Sequence, residues 1–175
     1  MMPLVVALGV TVATAELISV VEGAVIPALE MTIKVRAHHC DGKLFIVEGV
    51  IPPGVMIFPH THSREDECGY VLAGELTYLI GEEVCVAAAG DYVVRPRGIR
   101  HAFWNGADDP ARVMEIHTPA TFDGFYEQAG EIVASLGLDS PAGRAAFDEL
   151  NERYGLVQHW DLVPQLAGRF RIGQR

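Results

Sequence analysis

Two histidines, His60 and His62, stand two residues apart in a stretch rich in β-forming residues. On a strand, residues i and i+2 point to the same face, so both imidazoles can reach one ion. Glu67 follows five residues after His62, at the start of the next expected strand, and a chain reversal between them can bring its carboxylate to the same point. His101 opens a further strand after the turn Pro96-Arg97-Gly98 and can supply a fourth ligand. Imidazole suits iron, nickel, copper and zinc, and one carboxylate adds a harder ligand that suits iron and manganese. The set predicts one divalent transition metal per chain (Fe, Mn, Ni, Cu or Zn), with coordination positions left open for water, substrate or oxygen.

The elements that must position these side chains are short strands. Candidates fall at 17–22, 32–37, 44–50, 55–59, 68–72, 75–80, 82–87, 91–95, 101–104 and 112–117, rich in Val, Ile, Tyr and Phe. Turn signals separate them: Asp41-Gly42, Pro52-Pro53-Gly54, Gly74, Gly81, Gly90, Pro96-Arg97-Gly98 and Asn105-Gly106. Many short strands at close spacing predict an all-β sandwich or barrel. After Pro119 the period changes. Phe122, Phe125, Tyr126, Ala129, Ile132, Val133 and Leu136 recur mostly at steps of three and four, one face of an amphipathic helix with Asp123 in its first turn. A second helix is expected from Pro141 to about Tyr154, with Ser140 as N-cap and Gly155 as its stop. The division is a barrel over residues 1–120 and a helical extension over 121–175, packed on the barrel or on a dimer partner.

Composition narrows the partners. The chain has 175 residues, a net charge of −10 and 50% hydrophobic residues, enough for a sizeable core but not for a broad anion-binding surface. Nucleic acid and anionic membrane are therefore excluded as expected partners. Arg169, Arg171 and Arg175 near the end read as a solvated tail. The three cysteines, Cys40, Cys68 and Cys85, show no CxxC spacing and read as reduced thiols of a cytoplasmic protein. The apolar start, residues 1–15, carries no Lys or Arg and is too short to span a bilayer, which takes about 20 residues. It reads as a buried first strand or as a start placed too early. That strand, with the apolar face of 122–136, predicts a homodimer.

A lone His-x-His on a strand is commonly incidental, but here it sits in a longer pattern. Gly54, five residues, His60-x-His62, four residues, Glu67, six residues and Gly74 make one motif. Gly90, five residues, Pro96-x-Gly98, two residues, His101, three residues and Asn105 make another. The chain resembles the cupin superfamily in both motifs. The resemblance covers roughly residues 17–120 and implies a double-stranded β-helix, the cupin jelly-roll barrel, with the metal inside. The layout is also similar to bacterial quercetin dioxygenase-like proteins: one barrel, a join reading Thr118-Pro119-Ala120-x-Phe122-x-x-Phe125, and a helical tail ending near Tyr154-Gly155. That likeness implies that Glu67 is both ligand and catalytic base toward a bound phenol.

Alternation extends the reading into the cavity. Met56 and Phe58 share parity with His60, and Phe103 with His101, so all three should line a substrate pocket. Gly69 shares parity with Glu67; its missing side chain either leaves space beside the ion or marks a bulge. The pocket is then apolar with few fixed charges and suits an aromatic or polyketide-like molecule, since no basic cluster for phosphate stands out. Several other residues carry less. His38-His39 beside Cys40 read as a turn, Asp66 as facing away from the ion and holding its loop, and Cys68 as a packed thiol. Tyr70, Tyr78 and Trp104 read as packing, and His117 as a proton shuttle or a surface residue. The function expected is a metal-dependent dioxygenase acting on an enolisable aromatic or phenolic small molecule. A redox-neutral isomerase or polyketide cyclase, and a non-catalytic small-molecule binding module, stand as alternatives.

Overall fold

The computed structural model describes residues 15–170 and 172. Among the described residues, eleven strands form two antiparallel sheets. They are β1 Ala24–Ile26, β2 Met31–Val35, β3 Phe45–Ile51, β4 Met56–His62, β5 Asp66–Ala73, β6 Glu75–Ile80, β7 Glu83–Ala88, β8 Tyr92–Arg95, β9 His101–Trp104, β10 Ala111–Thr118 and β11 Leu156–Gln158. One sheet runs β1-β2-β3-β10-β5-β8 and the other β11-β4-β9-β6-β7. Facing each other, they form a double-stranded β-helix. Three α-helices lie in the part of the chain after β10: α1 Phe125–Leu136, α2 Pro141–Tyr154 and α3 Val163–Phe170. Strict alternation underlies β3 and β10. In β3 every second residue from Phe45 to Ile51 is buried, and in β10 Ala111, Val113, Glu115 and His117 all point inward. Phe45, Val47, Val71, Leu76 and Val113 have no exposed surface, and burying such side chains stabilises the barrel by about 1.5–3 kcal/mol each.

The turns lock the motif residues into place. Gly74 joins β5 to β6 at φ 74°, where a β-carbon would also lie 3.1 Å from the backbone of Ala111. Gly98 at φ 77° lets its N–H donate to the His62 carbonyl at 2.7 Å, which ties the turn before His101 to the strand that carries the other histidines. Asn105 is fully buried and donates to the carbonyls of Ile51 (2.8 Å) and Asp109 (2.9 Å) while accepting from the Ala107 N–H, so its part is structural.

Several expectations change. Residues 17–22 form no strand; Leu17, Val20 and Val21 are exposed, and Lys34 reaches the carbonyls of Ser19, Val20 and Glu22. The apolar residues there have no sheet neighbour to bury against, and the first strand among the described residues starts at Ala24. The reading of residues 1–14 lies outside the described residues. Helix α1 begins at Phe125 because Gly124, at φ 91°, interrupts the helical path. Asp123 therefore stands outside the first turn and instead accepts from Arg36 and from the Ala37 N–H. Helix α2 starts and stops where expected: the Ser140 hydroxyl accepts from the Gly143 N–H at 2.9 Å, and Gly155 ends the helix in a left-handed conformation.

The segment after Gly155 holds elements that the sequence reading lacks. Strand β11 joins the second sheet beside β4, and α3 packs Leu166 and Phe170 against Met56 and Trp104. The extension is thus part of the barrel's own sheet, and the apolar face of α1 (Phe125, Ala129) joins the main core. Exposed apolar residues of the sheets include Val84, Val86, Tyr92 and Val94 on β7 and β8. Among the described residues no helix is long and apolar enough to cross a membrane.

Candidate metal centre and cavity

Strand β4 delivers His60 and His62, β5 delivers Glu67 and β9 delivers His101. One ligand atom from each lies within 4.8 Å of all the others, and all four residues are buried. The backbone and one carboxylate set the ring orientations. His60 Nδ1 donates to the Phe58 carbonyl at 2.7 Å and His101 Nδ1 to the Ile99 carbonyl at 3.0 Å. His62 Nδ1 meets Glu65 Oε2 at 3.1 Å. A carbonyl can only accept, so in the first two rings the proton sits on Nδ1 and the Nε2 lone pair is free. Metal-bound histidines are commonly held by such outer partners.

Two observations fit a cation at this point. Glu67 Oε2 and His101 Nε2 lie 2.7 Å apart, yet both are buried and neither has an aligned hydrogen-bond partner. Two ligands of one ion converge in this way, and buried polar atoms otherwise require satisfaction. The electrostatics agree. Burial works against a charged His62, but Glu67 and Glu65 raise its imidazole to about 9. The same field that favours a proton there favours a divalent ion. Burial lowers the His60 imidazole well below its ordinary range, helped by His101 and His62, which keeps its lone pair available. Three imidazoles and one carboxylate suit a single divalent transition metal.

Around Glu67 lies a set of charged residues that the sequence reading lacks. Burial by itself would raise the Glu67 carboxyl, but Arg95, with His62 and His117, holds it well below the usual carboxylate range. Arg95 is fully buried, with one guanidinium nitrogen 3.5 Å from Glu67 and another paired to Glu115. Its guanidinium carbon lies 5.5 Å from the ring centres of both Tyr78 and Phe103. One arginine serves two carboxylates. Burial, opposed by Arg95 and reinforced by Glu67, pushes Glu115 up to about 7. The only sequence signal was parity: Arg95 alternates with Val93, and Glu115 with Val113 and His117, on strands whose other inward residues are apolar. His117 is buried rather than at the surface. Its Nδ1 lies 3.1 Å from Glu67 Oε1 and its Nε2 3.2 Å from the Tyr126 hydroxyl. Burial lowers His117 to about 4, so it is neutral at pH 7. Glu65, fully buried behind His62 and bonded to Thr121, lies in a loop where no periodicity marks it.

A cavity of about 360 Å³ opens onto His60, His62 and Glu67. Phe103 lines it, as parity implies. Met56 and Phe58 border it too, but their packing lies elsewhere: Met56 with Leu79, Ala102 and Trp104, and Phe58 against Trp160. The reason is a register irregularity between Ile57 and His60, so that Ile57 pairs with Phe103 while His60 pairs with His101. A bulge at Phe58-Pro59 shifts parity by one, so that Ile57 rather than Met56 stands across from Phe103. Gly69 neither leaves a void nor marks a bulge. Its pairing is regular on both sides, and a β-carbon there would lie 3.1–3.2 Å from Arg95, Glu115 and the Tyr78 hydroxyl. The glycine makes room for the charged set, which corrects the expectation of few fixed charges. Asp66 faces away and clamps Arg97, as expected.

Residues 47–117 match the family model of the cupin domain. No curated protein matches the chain. Similar solved structures include KdgF from Halomonas sp., 24% identical, over 51% of this chain and 76% of that one, with a TM-score of 0.47. A predicted oxalate decarboxylase from Thermotoga maritima is 21% identical over 51% of this chain and 78% of its own, with a TM-score of 0.49. The protein TT1209 from Thermus thermophilus is 27% identical over 45% of this chain and 74% of its own, with a TM-score of 0.43.

Proposed function

We propose, from the premise that this chain carries a cupin domain, that it is a metal-dependent dioxygenase acting on an enolisable aromatic or phenolic small molecule. The observation that carries the reading is the apolar cavity that opens onto the buried His/Glu cluster. When bound by His60, His62, Glu67 and His101, a redox-active divalent metal supplies Lewis acidity toward a substrate oxygen and an electron path to dioxygen. The chain's own residues do the rest. Phe103, Phe122 and Phe125 offer aromatic faces to a ring and keep water out. Glu67, kept ionised by Arg95, takes the phenol or enol proton on a carboxylate oxygen. His117, 3.1 Å from Oε1, and Arg95, 3.5 Å from Oε2, flank that carboxylate and so restrict its orientation.

A redox-neutral isomerase or cyclase is the second reading. Its support is the presence of Glu115 and His117 beside Glu67, which places several proton-handling groups at one point. One experiment separates the two. Protein of measured metal content is screened with flavonols and other enolisable aromatics while oxygen uptake is followed. The dioxygenase reading expects stoichiometric oxygen consumption and no anaerobic turnover. Product formation at equal rate without oxygen would overturn it in favour of the second.

A further inference from the structure

One wall of the cavity is built entirely by the C-terminal extension. Phe122 stands at the metal end, 5.0 Å from the His62 ring. Phe125, Ala129 and Val133 then follow along α1, all lining the cavity. They sit at steps of four on one helix face, and from Phe125 to Val133 the stripe runs about 12 Å at 1.5 Å per residue. Leu29, Met31 and Ile51 supply further apolar lining, with Glu30 as the one charged residue among them. At the other end Glu67, Arg95 and Glu115 line the cavity beside His60 and His62.

The geometry points to a substrate with one polar head and a long apolar tail: we infer that a phenolic or enolic head sits at Glu67 and that a tail, such as an alkyl or prenyl chain, lies along α1 toward Val133. The inference rests on the proposed function for the head alone; the tail follows from the walls. A chain in this channel leaves water at each methylene, and burial of one CH₂ is worth about 0.8 kcal/mol, or roughly fourfold in affinity. Ala129, the smallest side chain in the stripe, keeps the middle of the channel open.

The test is calorimetric titration of the full-length protein, with and without added zinc, by 4-alkylphenols of increasing chain length and by 1-alkanols of matched length. Affinity for the alkylphenols should rise about three- to fourfold per methylene until the channel is filled. Ala129→Leu should stop that rise at a shorter chain. Val133→Phe, at a less enclosed position, should stop it later, and serves if Ala129→Leu melts early. A flat response to chain length, or the same rise in both variants, would overturn the inference while leaving the phenol reading intact. A rise shared equally by the alkanols would keep the tail channel and remove the phenolic head.

Discussion

At one end of the cavity His60, His62, Glu67 and His101 come from three strands, and each side chain is held by a named partner: the Phe58 and Ile99 carbonyls, Glu65, Arg95 and His117. Along the opposite wall Phe125 and Ala129 are held by packing, with the extension fastened to the barrel through the Arg36 pairs to Asp123 and Glu127. The two ends therefore differ in tolerance. Directional bonds among buried charges fail sharply when one member is lost, because the others remain uncompensated. Apolar contact degrades in steps set by volume. Substitutions at the polar end should remove metal or chemistry, and substitutions along the extension should change stability and fit.

The largest effect tests the polar end outright. Wild-type protein should hold about one divalent metal per chain, and His60→Ala combined with His101→Ala should hold close to none by elemental analysis. Full loading of the double variant would dissolve the contrast. Next comes Glu67→Gln. At matched metal content its turnover should fall by about 10²–10⁴-fold while three histidines retain the ion more weakly. Near-normal turnover per bound metal would reduce Glu67 to a ligand.

A third variant asks how much of the polar end is a stability matter. Arg95→Ala leaves Glu67 and Glu115 buried without their cation and should destabilise the fold by about 3–5 kcal/mol in denaturant melts. Adding Glu115→Gln should recover part of that loss, and a strictly additive pair would show that the two side chains do not interact. The smallest effect belongs to the extension. Ser140→Ala removes the cap of α2 and should cost about 1 kcal/mol with metal content unchanged. A drop in metal content would show that the two ends are not independent.

Much of the site was legible because its residues are bound to local spacing. His60-x-His62, Glu67 and His101 sit on strand positions fixed by flanking glycines and prolines, and Ser140, Pro141 and Gly155 mark a helix whose ends depend only on neighbouring backbone groups. The family spacing added the barrel that brings distant segments together.

What alternation cannot determine is what lies opposite. The bulge at Phe58-Pro59 is a property of two paired strands, so it became visible only when Ile57 met Phe103 and His60 met His101. Gly69 was readable as a gap, but its filling by Arg95 and Glu115 depends on three strands arriving side by side. Strand β11 has three residues and no strong periodicity of its own; its pairing to β4 makes it a strand. The apolar stripe of α1 was evident from Phe122 to Leu136, yet whether it faced a partner or its own barrel was a question of docking. Local sequence determined the chemical character of each face, and only the tertiary structure decided which faces meet, because contact between them is a long-range property of the whole chain.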